Sequence, residues 1–182
     1  MRRHSKLDGS TAARTGRLGE TGEQLAGKVL DRGGFVNIRN LNREKMNFPF
    51  ADIYAERNGR RYVISVKIRY KLEARTGRLN SRYKLGAQCY ELARRAEEAM
   101  QAEAAWLAIS LEPTVFNAYF GLLSQLGGRR GITMTALAIA NYECLCGNQA
   151  HDFDYAALKN VYEPLQRMSN RETWVTQNKP AT

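Results

Sequence analysis

Asn58-Gly59, set between two runs in which apolar and polar residues alternate, constrains this chain more than any other dipeptide in it. Both residues tolerate positive φ, so the pair reads as the two-residue turn of a β-hairpin with arms at 50–57 and 60–68. Counting outward from the turn sets Arg57 opposite Arg60, Ala55 opposite Tyr62, Ile53 opposite Ile64 and Asp52 opposite Ser65. Alternation then places Asp52, Ser65 and Lys67 on one face, and Ala51, Ile53, Ala55, Tyr62, Ile64, Val66 and Ile68 on the other. The apolar face is predicted to be core. The other face carries a carboxylate and, diagonally opposite, an ammonium roughly 7–8 Å away at the Cβ level. Such an arrangement can hold a metal ion and a phosphate together.

Composition narrows the partner. Among 182 residues, 43% hydrophobic and 25% charged is ordinary for a globular domain, but 28 Lys+Arg against 18 Asp+Glu leaves a net charge of +10. That surplus favours a polyanion, nucleic acid before membrane. There is no run of about 18 apolar residues that could cross a bilayer, and the charged start Met1-Arg2-Arg3 has no apolar stretch behind it to make a secretory signal. Three cysteines do not make a disulfide framework and fit a reducing cytoplasm. Cys144, Cys146 and His151 lack the spacing of a zinc finger.

Along the chain, 1–16 reads as a flexible basic arm, 17–170 as one domain and 171–182 as a flexible tail. A helix is expected from Leu18 to the Gly33-Gly34 stop, a strand at 35–38, and a polar loop at 39–48. After the hairpin comes a basic linker (72–80), then a long helix over 81–104 with Leu85, Cys89, Leu92, Ala96 and Ala99 at spacings of three and four. Two apolar runs, 105–111 and 115–122, read as central strands, and 132–135 as a short edge strand. Helical segments are expected at 137–145 and 155–162. The order is helices flanking a mixed sheet, an α/β fold.

The first helix opens with Gly19-Glu20-Thr21-Gly22-Glu23, and Glu23 shares a face with Ala26, Gly27 and Leu30. A Gly-Glu helix start, a Gly34-Phe35 helix end, an Ala51-Asp52-Ile53 strand and a strand ending Ser65-Val66-Lys67 follow in order. This series resembles the PD-(D/E)xK nuclease superfamily, especially its Holliday-junction-resolvase and restriction-endonuclease-like branches, by motif over 18–72 and by element order over 81–122. The resemblance implies a restriction-endonuclease-like core, α-β-β-β-α-β, and a metal-dependent endonuclease acting on DNA, with RNA as the weaker alternative substrate. It assigns metal binding to Asp52 and to Glu23, with Glu20 as the neighbouring candidate, and charge stabilisation to Lys67. The cofactor implied is Mg²⁺, or Mn²⁺ in its place.

Two positions depart from the family pattern. Ala51 stands where proline is common, with Pro49 two residues earlier. Ser65 occupies the position of the second acid, and serine is a poor ligand for a hard cation. In related enzymes the following helix supplies the missing carboxylate. Here Glu91, beside Gln88, is the candidate, with Glu73 a weaker one. Loss of that acid also raises the rival reading of a catalytically inactive module that keeps the fold and binds nucleic acid. Phosphate contacts are expected from Arg60 and Arg61 at the hairpin tip and from Arg69, Lys71, Arg75, Arg78, Arg82 and Lys84 beyond it, with Tyr70 and Tyr83 interleaved. A homodimer through 132–165 is a further expectation.

Overall fold

The structure is a computed structural model and describes residues 9–44, 48–73 and 76–153. The stretch 155–162, the tail 171–182, residues 1–8 of the arm and Arg75 lie outside the described residues. Helix α1 (Gly9–Arg32) is followed by β1 (Val36–Asn40), a single turn α2 (Leu41–Glu44), β2 (Ile53–Arg57) and β3 (Arg60–Tyr70). Then come β4 (Arg82–Lys84), α3 (Cys89–Met100), β5 (Glu103–Leu111), β6 (Val115–Leu122), β7 (Gly131–Thr133), the turn α4 (Ala136–Ile139) and β8 (Glu143–Ala150). Six strands form one mixed sheet in the order β1-β2-β3-β5-β6-β8, while β4 and β7 pair separately. The order α-β-β-β-α-β expected from sequence runs through α1, β1, β2, β3, α3 and β5.

The hairpin register is the one counted from the turn: Arg57 pairs with Arg60, Ala55 with Tyr62 and Ile53 with Ile64. Asn58 and Gly59 take φ of 53° and 75°, the left-handed pair that a tight two-residue turn requires. β3 then continues six residues beyond its pairing with β2 and runs parallel to β5 from Tyr62 to Tyr70. β5 and β6 are interior strands of the sheet, as their continuous apolar runs predict.

Both faces of the sheet are core. Leu25, Ala26, Val29 and Leu30 of α1 pack with Ile53, Ala55, Tyr62 and Ile64 on one face. On the other, Ala93 and Ala96 of α3 pack with Tyr54, Val63 and Trp106. The hairpin face carrying Asp52 and Ser65 is therefore covered over most of its length, which corrects the expectation of a single core face. Ala51 also changes sides and joins the second cluster, because Phe50 at φ 63° turns the chain just before the strand.

Three further corrections have local causes. α1 begins at Gly9, inside the stretch read as an arm. The helix expected over 81–104 is a strand followed by a shorter helix, because Tyr83 is buried opposite Ile132 and Gly86 breaks the chain at φ 102°. At its other end Gln101 closes α3 in the left-handed conformation, and Glu103 already belongs to β5. The helix expected over 137–145 is one turn; from Glu143 the chain joins the main sheet as β8 beside β6, so the cysteines lie on a strand. β7, the expected edge strand, pairs with β4 outside the main sheet.

Candidate active site

The site forms where β3 outruns β2. Past Ile64 the β3 backbone has no β2 partner, and an N–H there needs an acceptor. The Asp52 backbone N–H donates to the Ile64 carbonyl at 2.9 Å, and the Val66 N–H donates to Asp52 Oδ2 at 2.7 Å. The carboxylate thus takes the place of the missing strand. Two residues on along β3, Lys67 lies on the same side as Ser65 by alternation.

Glu23 reaches this strand end from α1. Gly22 is the device that brings it there: a Cβ at that position would lie 2.7 Å from Ile68 Cγ2, so only glycine lets the helix approach β3 this closely. Glu23 accepts from Asn40 Nδ2 at 2.6 Å and from Asn42 Nδ2 at 3.0 Å, and the same Asn42 nitrogen donates to Asp52 Oδ1 at 3.1 Å. The two carboxylates therefore meet on one amide group. Beside them opens a groove of about 770 Å³ lined by Glu23, Asn40, Asn42, Arg43, Glu44 and Ile53.

Burial pushes the Asp52 carboxyl above its ordinary value, against the pull of the Lys67 ammonium, the Val66 N–H and the Asn42 amide; the nearby Glu23 charge adds to the rise. Burial likewise lowers Lys67, with Asp52 opposing and Arg69 assisting. None of the ion pairs among the described residues includes Asp52 or Lys67. Both groups are largely taken from water without an ion-pair partner, the pattern expected where a ligand completes the electrostatics. Two carboxylates with an asparagine are oxygen-bearing groups of the kind a hard divalent cation takes.

The remaining candidates lie elsewhere. Ser65 is only 1% exposed, sealed beneath the surface. Glu91 is exposed and pairs with Arg95 at 2.6 Å along α3. Gln88 precedes that helix and is exposed, and Glu73 accepts from Thr76 in its own loop. Glu20 lies one turn before Glu23 on α1. Among the described residues no group of three or more His, Cys, Asp or Glu side chains is placed to hold a metal. The ring of His151 bonds the Glu112 carbonyl at 2.7 Å.

Of the basic residues, Arg69 donates to the Ile68 carbonyl beside Lys67, and Lys71 pairs with Glu112 at 2.9 Å. Arg78, Arg82 and Lys84 are exposed beyond the strand. Arg60 and Arg61 sit at the hairpin turn, about 17 Å from Asp52 at the rise of a strand. There they line a wider hollow of about 850 Å³ with Glu97, Glu98 and Glu103, whose acids offset their charge. Tyr83 is fully buried and its hydroxyl bonds Ser110, which corrects its expected role as a stacking surface. Tyr70 is half-buried against the first core cluster.

The residues that sequence reasoning missed are Asn40 and Asn42. The stretch 39–48 reads as a polar loop, yet its first residues end β1 and form α2. The available signal is Leu41, one apolar residue among polar ones, which is 2% exposed and anchors the turn in the second cluster.

No protein-family model and no curated protein matches the sequence. Among solved structures the chain is similar to Archaeoglobus fulgidus Hjc, a Holliday junction resolvase from an archaeal hyperthermophile, at 18% identity and a TM-score of 0.49, over 69% of this chain and 95% of that one.

Proposed function

We propose that this chain is a divalent-metal-dependent endonuclease that hydrolyses phosphodiester bonds in DNA on a restriction-endonuclease-like core. The observation that carries the reading is the convergence of Glu23 and Asp52 on one asparagine at the open end of β2, with Lys67 directly after Val66, the residue of β3 whose N–H Asp52 accepts. Asp52 and Glu23 would hold Mg²⁺ or Mn²⁺. When bound, such an ion polarises the phosphate and lowers the pKa of a coordinated water. Lys67 stabilises charge developing on the phosphate oxygens, an effect strengthened by its removal from bulk water. Arg69, Arg78, Arg82 and Lys84 contact the backbone of the nucleic acid, with Lys71 joining once it releases Glu112, so binding weakens steeply as salt rises. A homodimer through 132–165, where Leu137 is 83% exposed, and a cytoplasmic setting belong to the same proposal.

One observation favours a second reading. Ser65, in the place of the second acid, is buried, Glu91 is turned to Arg95, and Glu44 on the groove wall is paired with Arg39, so among the described residues Glu23 and Asp52 are the carboxylates that share Asn42. A site so reduced suits a module that binds nucleic acid without cutting it. Labelled DNA incubated with the protein and Mg²⁺ or Mn²⁺ separates the two. Cleavage that disappears in Asp52→Ala and Lys67→Ala supports the enzyme. Salt-sensitive binding with no cleavage, unaltered by those substitutions, supports the binding module and rules out the enzyme.

A further inference from the structure

We propose that Asn42 is the positioning residue of this site: its side-chain amide holds the Glu23 and Asp52 carboxylates together by donating to both. The inference rests on the metal-site reading above and adds to it a residue outside the acidic and lysine positions. Two carboxylates brought this close repel each other, and the repulsion is strongest where burial lowers the local dielectric. The Asn42 nitrogen lies 3.0 Å from Glu23 Oε1 and 3.1 Å from Asp52 Oδ1, so it carries partial positive charge to the point where the two negative groups face each other. An amide N–H uses one lone pair of each oxygen it touches, which leaves further lone pairs on both carboxylates for a cation.

The amide is itself held firmly. Leu41 is buried in the second core cluster, and its backbone N–H donates to the Asp52 carbonyl at 2.9 Å. Asn40 Oδ1 accepts from the Arg43 backbone N–H at 3.1 Å, closing the α2 turn, while Asn40 Nδ2 fixes the second oxygen of Glu23 at 2.6 Å. The tripeptide Asn40-Leu41-Asn42 is thus a bracket with its apolar centre in the core and its two amides on the acids. Glu23 and Asp52 are separated by 29 positions in the chain and come from different elements; the bracket is what ties them. Groups that orient a metal's ligands in this way typically change metal affinity by about 10–100-fold when removed.

The test uses the full chain and two readouts. Mn²⁺ binding is measured by calorimetry for wild type, Asn42→Ala and Asn42→Ser. Thermal unfolding in EDTA is measured for Asn42→Ala in the wild-type and in the Glu23→Ala background. The expected result is Mn²⁺ binding weakened by about 10–100-fold in Asn42→Ala and less in Asn42→Ser, whose hydroxyl can still donate to one acid. The melting temperature lost in Asn42→Ala shrinks once Glu23 is gone, because there is no longer a second charge to hold. Mn²⁺ affinity unchanged in Asn42→Ala, or an equal loss of melting temperature in both backgrounds, overturns the proposal while leaving the metal site in place. A wild-type protein that binds no Mn²⁺ overturns the metal reading, and this role for Asn42 with it. Should Asn42→Ala fail to fold, Asn42→Ser carries both comparisons.

Discussion

At its closed end the β2–β3 hairpin holds Arg57 over the rings of Phe35 and Phe120, 4.2 and 5.3 Å from their centroids, and pairs it through two bonds of 2.6 and 2.7 Å with Glu143 of β8. At its open end the same hairpin holds Asp52 and Lys67, also partly buried, with no ion pair for either. The closed end shows what this fold does with a buried charge when stability is the only demand: a bidentate partner and stacked rings. The open end keeps two charges without an ion pair, Lys67 on the strand that continues past its neighbour and Asp52 just before that neighbour begins. Two buried charges with no ion pair at one end of an otherwise well-paired element are the pattern expected where a ligand completes the electrostatics.

The sharpest way to break this contrast is to neutralise the open end. Asp52→Asn or Lys67→Met is expected to lower cleavage by about 100-fold or more, as loss of a transition-state charge contact does, without unfolding the protein. In EDTA, Asp52→Asn should melt above wild type, and the sign fixes how this varies with pH. The native carboxyl titrates above its unfolded value, so charging it costs the folded state. That cost is absent below the ordinary carboxylate range, appears as pH rises through the raised native value, and persists at neutral pH. Lys67 is lowered, so its cost is present at neutral pH and is relieved only as pH climbs towards the ordinary lysine range. The advantage of Asp52→Asn should therefore grow as pH rises out of the ordinary carboxylate range and level off above the raised native value. Added Mg²⁺ should raise the melting temperature of wild type and leave that of Asp52→Asn where it was. An advantage that shrinks with rising pH would break the contrast.

Gly22→Val tests how the two acids are brought together. A side chain there collides with Ile68, and forcing α1 off β3 should cost about 1–3 kcal/mol in denaturant unfolding. It should also lower Mn²⁺ affinity, because Glu23 moves with the helix. Arg57→Ala, at the closed end, should cost about 2 kcal/mol through lost ring contact and pairing. Its Mn²⁺ affinity should match wild type, since the two ends are independent. Weakened metal binding in Arg57→Ala would show that they are not.

How much of this was legible in the sequence depends on the range of the interactions involved. Asn58-Gly59 set the hairpin register because a two-residue turn leaves no freedom in the count, but the paired register ends at Ile53 and Ile64, and Asp52 lies just before β2 with its N–H on the Ile64 carbonyl rather than paired opposite Ser65. β5 and β6 were legible as unbroken apolar runs. The helical spacing across 81–104 misled because Tyr83 gains more by pairing opposite Ile132 than by joining a helix that Gly86 would interrupt. Leu137, Ala138 and Ile139 do form a helical turn, but β8 after it is set by the edge of β6, which no local pattern reveals. Asn40 and Asn42 were missed for the same reason. Their partners lie 10 to 19 positions away, and only the bend after β1, anchored by Leu41, aims them at the acids.

The smallest expected effect concerns Glu91, the carboxylate that the family pattern would recruit from α3. Its side chain is about half exposed and bonded to Arg95 one turn on. An exposed i,i+4 pair of this kind contributes about 0.5 kcal/mol or less. Glu91→Gln should therefore shift unfolding by no more than that and leave both Mn²⁺ affinity and cleavage within about twofold of wild type, since 1.4 kcal/mol would be needed for a tenfold change. A tenfold or larger loss of Mn²⁺ affinity would mean that α3 turns Glu91 inward once the cation is bound. The open end of the hairpin would then be completed by a third acid, and its unpaired charges would reflect a helix that closes on the metal rather than a two-carboxylate site held by Asn42.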